Sequence, residues 1–239
     1  MNALENKVAL VTGGSKGIGL AVADAIVRAG MNVAITARNR AEVEAAAARL
    51  EETGPGKSVG IVCDVRDFEQ QRSAVDRVVA AYGGLDVVIA NAGVGRFAAV
   101  DEMSVEDWHS VIDTNLTGVF YTVKASVAQL KKRKGYLITI GSLAGTNFFA
   151  GGSAYNASKF GLAGFSQAAM LDLRRHGVKV STIMPGSVAT HFSGSAPAPS
   201  ESWKIQPEDI GEMVMYLLTA PERTLPSKIE VRPSRPPSS

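Results

Sequence analysis

The 239-residue sequence predicts one α/β domain built on a doubly wound, mostly seven-stranded parallel sheet with helices on both faces. Short apolar runs rich in β-branched residues alternate with longer stretches of helical periodicity. The apolar runs contain few polar residues, which is typical of strands buried between two helical layers. Because the alternation continues without a change in composition, we expect one domain over residues 1–232 and a Pro/Ser-rich tail over residues 233–239.

The first half of the chain contains three strand–helix units. Strands are predicted at residues 8–12, 32–37 and 58–63, and the helices that follow them at residues 18–29, 41–53 and 68–82. Each helix has a stop signal at its end: Gly30 for the first, Gly54-Pro55 for the second and Gly83 for the third.

The second half continues the pattern with longer helices. A strand at residues 85–90 precedes a long helical stretch from residue 105 to about 132. The remaining strands are predicted at residues 136–140, 178–184 and 228–231, and the remaining helices at residues 155–175 and 208–218.

Composition and charge exclude several classes of protein. Hydrophobic residues make up 46% and charged residues 20%, as in a globular protein with a large core. The net charge of +2 does not fit a nucleic-acid-binding protein, and the basic run at residues 131–134 is typical of a last helical turn. Cys63 is the only cysteine, so no intramolecular disulfide is expected. With no apolar signal core and no run of 18 apolar residues, we expect a cytoplasmic protein without a membrane partner.

The first strand leads into a glycine-rich loop, Gly13-Gly14-Ser15-Lys16-Gly17-Ile18-Gly19, which opens a helix. Glycines at such a position permit a tight turn and let backbone N–H groups approach a pyrophosphate at the helix N-terminus. The spacing is Gly-x-x-x-Gly-x-Gly rather than the commoner Gly-x-Gly-x-x-Gly. The alternative to nucleotide binding is a plain turn between strand and helix. The strand–turn–helix context favours a dinucleotide-binding Rossmann fold.

The end of the second strand predicts which dinucleotide binds. An acidic residue there binds the 2′-hydroxyl of the adenosine ribose, whereas a basic residue accommodates a 2′-phosphate. This strand ends in Arg38, and Lys16 in the glycine loop is a second cation on the same side. Two cations without a carboxylate favour NADP(H) over NAD(H), the alternative being that Arg38 is a solvated charge at a strand end.

A possible proton donor lies in the fifth predicted helix. Tyr155 and Lys159 are spaced i and i+4, so they share one face of that helix. A nearby ammonium favours the phenolate and lowers the pKa of the phenol, which would suit Tyr155 to general acid catalysis. The spacing alone is common on helix surfaces, and its meaning depends on the other motifs.

Taken in order, these motifs resemble the short-chain dehydrogenase/reductase family, including its 3-oxoacyl-[acyl-carrier-protein] reductase-like members, over residues 8–218. Thr12-Gly13-x-x-x-Gly17-Ile18-Gly19 is similar to the family's cofactor motif, and Asn91-Ala92-Gly93 is similar to its motif after the fourth strand. Further similar positions are Asp64, Asn115, Ser142, Tyr155-x-x-x-Lys159 and Pro185-Gly186-x-Val188-x-Thr190.

The resemblance implies a carbonyl reductase or alcohol dehydrogenase with four catalytic residues. Tyr155 would give its proton to the carbonyl oxygen, and Ser142 would hydrogen-bond the same oxygen. Lys159 would lower the Tyr155 pKa and hold the nicotinamide ribose, and Asn115 would position a water that relays protons to Lys159. The cofactor would supply the hydride.

The family pattern also implies the cofactor contacts and the partners. The expected contacts are Gly13, Ser15, Lys16, Gly17, Ile18, Gly19, Arg38, Asp64, Val65, Asn91, Ala92, Gly93, Tyr155, Lys159, Pro185, Gly186, Val188 and Thr190. The expected partners are a small carbonyl or alcohol substrate and other copies of the chain. The segment after residue 228 lacks the Gly-rich turn that helps some relatives form tetramers, so homodimer and homotetramer both stay open. No metal ligand set is expected, since His109, His176 and His191 lie far apart in sequence.

The sequence also allows two other functions to be weighed and suggests one property of the substrate. A non-catalytic dinucleotide sensor on the same fold is the main alternative. A serine hydrolase is disfavoured, because Ser166 in Gly164-Phe165-Ser166 falls inside a predicted helix rather than at a strand-to-helix elbow. Phenylalanines near the predicted pocket suggest an apolar part of the substrate: Phe97, Phe148, Phe149 and Phe192.

Overall fold

The computed structural model describes residues 4–190, 192 and 201–235. Its sheet contains seven parallel strands in the order β3-β2-β1-β4-β5-β6-β7. The strands are β1 Val8–Thr12, β2 Asn32–Ala37, β3 Ser58–Val62, β4 Val87–Ala90, β5 Tyr136–Ile140, β6 Lys179–Pro185 and β7 Lys228–Val231. All seven predicted strands are present, which confirms the predicted doubly wound fold.

The helices cover both faces of this sheet. They are α1 Gly17–Arg28, α2 Arg40–Glu51, α3 Phe68–Tyr82, α4 Val105–Ile112, α5 Gly118–Arg133, α6 Ser153–Arg174 and α7 Pro207–Thr219. Side chains of Asn39, Asp67 and Ser104 cap α2, α3 and α4 by accepting a backbone N–H three residues later. The predicted boundary between the domain and its tail stays a prediction, and residues 236–239 lie outside the described part.

The core consists of two layers, one on each face of the sheet. Alternate residues of β1 point to opposite layers, as the pleat requires: Ala9 and Val11 to one, Val8 and Leu10 to the other. The first layer packs under α1, α2 and α7, and the second under α3, α5 and α6. Both layers bury the apolar stripes of their helices, so the sheet is a rigid platform for the loops at its edge.

The long helix predicted from residue 105 to about 132 differs from the observed structure. A π-helical segment, Asp113–Thr117, separates α4 from α5, and the Gly118 N–H donates to the Asp113 carbonyl five residues earlier. The Asn115 amide in this segment is hydrogen-bonded to the loop after β4 and to α6. These tertiary bonds hold a widened turn that helical periodicity alone does not reveal.

The described helices and side chains also bear on three expectations, which concern membranes, serine hydrolysis and metal ions. None of the helices in residues 4–190 and 201–235 is long and apolar enough to cross a membrane. Ser166 lies inside α6, is fully buried and shares a 3.0 Å hydrogen bond with Thr139 Oγ1, so it cannot act as an exposed nucleophile. His109 and His176 belong to no metal-binding group within the described residues, and His191 lies outside them.

Candidate active site

A cleft of about 920 Å³ opens at the carboxyl ends of the strands, where the sheet order reverses between β1 and β4. This switch point is where doubly wound sheets bind ligands. Seventeen predicted cofactor positions and Ser142 border it, from Gly13 in the first loop to Thr190 after β6. Gly19 and Asn115 are the predicted site residues that lie behind this lining.

The glycine loop has a backbone that other residues would not adopt. Gly13 and Gly17 have φ values of +66° and +56°, in the left-handed region that favours glycine. A Cβ on Gly19 would stand 2.3 Å from the Gly13 carbonyl oxygen, and one on Gly13 would stand 2.9 Å from Ala92 Cα. The loop is therefore compact enough for backbone N–H groups to approach a ligand closely.

The N-terminus of α1 faces this loop without a competing anion. Lys16 occupies the N-cap position, no side chain caps the helix, and its first turn contains no acidic residue. The unpaired N–H groups and the positive end of the helix dipole favour a bound anion such as a pyrophosphate. The residues present therefore fit the diphosphate of a dinucleotide.

A hydrogen-bonded bridge joins β1 to β4 beneath the cleft. Asn91 Nδ2 donates to the Thr12 and Gly13 carbonyls at 2.9 and 3.1 Å. The backbone N–H groups of Asn91 and Ala92 donate to Thr12 Oγ1, both at 3.1 Å. Asn91 thus fixes the floor of the glycine loop, and its side chain is engaged with protein rather than directed at a ligand.

Charged side chains surround the cleft beyond β2 and β3. Arg38 follows β2, and Lys16 Nζ lies 3.9 Å from the Glu42 carboxylate in α2. Arg66 Nη2 donates to Asp64 Oδ2 at 2.6 Å, and this hydrogen bond lowers the pKa of the Asp64 carboxyl. The sequence predicted the two cations, but Glu42 was missed because it lies within a helix rather than at the strand end.

The other end of the cleft contains Ser142, Tyr155 and Lys159. Ser142 follows β5 and accepts a hydrogen bond from the Ala144 N–H at 3.1 Å. Tyr155 and Lys159 lie on the first turns of α6, with Lys159 Nζ 5.7 Å from the Tyr155 ring centroid. Lys159 is only 6% exposed, and its ammonium donates to the Ile140 carbonyl at 3.1 Å. The structure therefore brings the predicted catalytic hydroxyls and the lysine together.

Burial dominates the electrostatics at this end. It lowers the pKa of Lys159 from 10.5 to about 8, because the charged form loses its hydration. It raises the pKa of Tyr155, and the Ser142 hydroxyl acts in the opposite direction. The sequence led us to expect a Tyr155 pKa lowered by Lys159. The direction differs because the phenol is buried, and the Lys159 ammonium donates its hydrogen bond to the Ile140 carbonyl rather than to the phenol.

The Asn115 side chain is hydrogen-bonded to two segments beneath the cleft. Its Nδ2 donates to the Val94 carbonyl at 2.9 Å and to Ser158 Oγ at 3.1 Å, and its Oδ1 accepts the Val94 N–H at 2.8 Å. These bonds tie the loop after β4 to α6 next to Lys159. Since the side-chain amide is occupied in this way, the expected water relay to Lys159 stays a prediction.

Comparison with known proteins identifies the family. Residues 7–200 match the family pattern of the short chain dehydrogenases. The chain belongs to this family. An uncharacterized oxidoreductase of Staphylococcus aureus (strain MW2) is 34% identical over 235 residues, which are 98% of this chain and 100% of the relative. The protein is thus an oxidoreductase of the short chain dehydrogenase type.

Solved structures of other short chain dehydrogenases have the same fold. An alcohol dehydrogenase from the archaeon Thermococcus sibiricus, complexed with 5-hydroxy-NADP, has a TM-score of 0.91 and 32% identity, covering 96% of this chain and 98% of that one. A metagenomic short-chain oxidoreductase in complex with NADP has a TM-score of 0.85 and 34% identity, covering 98% and 99%.

Some lining residues of this short chain dehydrogenase had no signal in the sequence. Gly95 and Arg96 follow the predicted Asn91-Ala92-Gly93 motif, in a loop with no periodic pattern. Lys204 reaches the cleft because Ile205 forms a bridge with Val188, a pairing between irregular segments. Of the four predicted pocket phenylalanines, Phe97 and Phe192 contact Tyr155 and Phe149 contacts Phe97, whereas Phe148 is 85% exposed.

Proposed function

We propose that this protein is an NADP(H)-dependent oxidoreductase that reduces a ketone or aldehyde to an alcohol, or catalyses the reverse. The observation that carries the proposal is the position of Ser142, Tyr155 and the buried Lys159 in one cleft with the glycine loop. A dinucleotide extending from that loop would have its reactive end at these three side chains. Two solved relatives hold NADP or a derivative of it, which supports this cofactor class.

The residues at the reactive end have complementary roles in the proposal. NADPH would supply the hydride to the carbonyl carbon. Tyr155 donates the proton to the carbonyl oxygen, and Ser142 donates a hydrogen bond to the same oxygen as negative charge develops there. Lys159 places a positive charge 5.7 Å from the Tyr155 ring, where it favours the phenolate left after proton transfer. Asn115 keeps α6 in register with the loop after β4.

The preference for NADP(H) over NAD(H) rests on the cations beyond β2. Arg38 and Lys16 both border the cleft, where a 2′-phosphate on the adenosine ribose would add negative charge. Because the Lys16 ammonium already forms an ion pair with the Glu42 carboxylate, we assign the larger part of the phosphate recognition to Arg38. Arg38 also acts electrostatically on Asp64, the expected adenine contact.

Self-association and cellular location belong to the proposal as well. Phe120 on α5 is 46% exposed and contacts Phe165 on α6 at 6.3 Å between ring centroids, and Phe160 on α6 is exposed too. This apolar helix face supports a homodimer or homotetramer, which sedimentation velocity would distinguish. The cytoplasmic location stays a prediction of the sequence.

The test is a turnover assay with a variant that lacks one atom. NADPH oxidation is followed across a panel of ketones, aldehydes and 3-oxoacyl thioesters, and repeated with NADH. We expect Tyr155→Phe to reduce kcat by at least about a hundredfold, because the proton donor is lost, while the Kd for NADPH changes little. Turnover unchanged in Tyr155→Phe would refute the mechanism. NADPH binding without turnover on the panel and on the corresponding alcohols would favour the sensor function instead.

A further inference from the structure

Two phenylalanine rings contact the ring of Tyr155, and a third contacts one of these two. The Phe97 ring lies 5.5 Å from the Tyr155 ring at an interplanar angle of 66°, and the Phe192 ring lies 5.7 Å away at 61°. The Phe149 ring lies 5.9 Å from Phe97. Edge-to-face contacts at these distances leave ring faces available to a further flat group. We call Phe97, Phe149 and Phe192 the aromatic wall.

The aromatic wall is exposed although it consists of apolar groups. Phe97, Phe149 and Phe192 have 52%, 48% and 44% of their surface open to solvent. Adjoining exposed rings of this kind mark a binding surface rather than a core. Since the surface adjoins the proposed proton donor, its ligand is the substrate.

The backbone holds the aromatic wall in place. The Ala98 N–H donates to the Gly151 carbonyl at 3.0 Å, which joins the loop of Phe97 to that of Phe149. The Phe149 N–H donates to the Asn156 side chain next to Tyr155. A Cβ on Gly95 would stand 2.6 Å from Phe192 Cε1 and 2.8 Å from Phe97 Cζ, so both rings occupy the space that glycine leaves.

The charges beside the wall are already paired. Arg96 Nε lies 3.2 Å from an Asp107 carboxylate oxygen, and Lys204 is paired with Glu201. Lys159 is buried and bound to the Ile140 carbonyl. Among the described residues that line this end of the cleft, each cation thus has a partner within the protein. This arrangement disfavours a carboxylate or phosphate on the substrate.

We propose that the substrate is an uncharged ketone or secondary alcohol that carries a planar apolar ring next to the reacting carbon. The ring packs against Phe97 and Phe192, with Phe149 extending the surface. This inference rests on the proposed function and specifies its substrate class. In the reduction, the carbonyl carbon gains a C–H bond from the hydride of NADPH, the C=O π bond breaks, and the oxygen takes the Tyr155 proton. The ketone becomes a secondary alcohol as NADPH becomes NADP+.

The test compares three methyl ketones that differ only in the second substituent. Acetophenone carries the planar ring, butanone a small alkyl group and acetoacetate a charge. We expect kcat/KM for acetophenone to exceed the other two by at least about tenfold, the scale of an aromatic contact together with the apolar area it buries. Phe97→Ala should remove most of this preference. Phe148→Ala is the matched control, because this neighbouring ring is 85% exposed and lies outside the wall.

A binding measurement separates the two levels of the proposal. Saturation-transfer NMR detects acetophenone bound to the NADP+-loaded protein, and the signal should fall in Phe97→Ala but not in Phe148→Ala. Turnover that favours butanone or acetoacetate, or a preference unchanged in Phe97→Ala, overturns the inference and leaves the proposed function standing. Acetophenone bound through Phe97 without turnover of any ketone or alcohol keeps the ring-binding surface but overturns the oxidoreductase proposal. If neither acetophenone binding nor turnover is observed, the ring-binding inference and the oxidoreductase proposal are both wrong.

Discussion

Replacing Lys159 by Met should make the folded protein more stable at neutral pH while removing activity. Burial lowers the folded-state pKa of Lys159 to about 8, compared with 10.5 as the reference for the unfolded chain. Between these two values the unfolded state binds more protons at Lys159, so the contribution of Lys159 to wild-type stability rises with pH across this window. At neutral pH the full effect is present, and 2.5 pKa units correspond to about 3 kcal/mol. Methionine at this position keeps much of the apolar stem of lysine. Since it does not titrate, it makes no pH-dependent contribution to the free energy of unfolding.

The assay is urea unfolding of both proteins at about pH 7.5 and about pH 10.5, followed by circular dichroism. The free energy of unfolding of Lys159→Met minus that of wild type should fall by about 3 kcal/mol from the lower to the higher pH. Lys124→Met controls for the loss of a positive charge, because Lys124 is exposed on α5. A difference between Lys159→Met and wild type that stays constant with pH would refute the burial argument.

Two further predictions concern the cofactor end of the cleft. Arg38→Asp should raise the Kd for NADPH by about a hundredfold and change that for NADH much less, because a charge pair at the 2′-phosphate becomes a repulsion. Fluorescence titration measures both Kd values. An equal loss of affinity for the two cofactors would contradict the role of Arg38. Gly19→Ala should destabilise the fold by more than about 2 kcal/mol, because its Cβ would stand 2.3 Å from the Gly13 carbonyl oxygen. Thermal melts followed by circular dichroism measure this loss. In the same melts Gly164→Ala, whose Cβ would meet nothing within 4 Å, should instead stabilise α6 by about 0.5–1 kcal/mol.

The sheet and the glycine loop could be predicted from the sequence because their signals are local. A buried parallel strand such as Val8–Thr12 has no solvated face, so its whole run is apolar. The positive φ angles of Gly13 and Gly17 require a residue type that is visible in the sequence. The same holds for the i, i+4 spacing of Tyr155 and Lys159 on one helix.

The features that could not be predicted depend on contacts between distant segments. The π-helical turn at Asp113–Thr117 depends on hydrogen bonds from Asn115 to Val94 and Ser158. The direction of the Tyr155 pKa depends on how deeply the phenol is buried, which spacing along a helix does not reveal. The ion pair of Lys16 with Glu42 likewise joins the glycine loop to α2, and only the fold determines the relative position of these two segments.

The bridge from Thr12 to Asn91 has a consequence for how the protein is made. Its partners are 79 residues apart, and the cleft above it is completed only by Lys204, near the end of the chain. During synthesis the ribosome releases the glycine loop first, at about 5–20 residues per second, so the loop waits roughly ten seconds or more for the last wall of its pocket. If NADP(H) binds in this cleft as we propose, its whole binding site exists only after Lys204 has been added to the chain. The bound cofactor would then stabilise the finished domain by mass action, whereas the newly made chain would depend on its own core to fold.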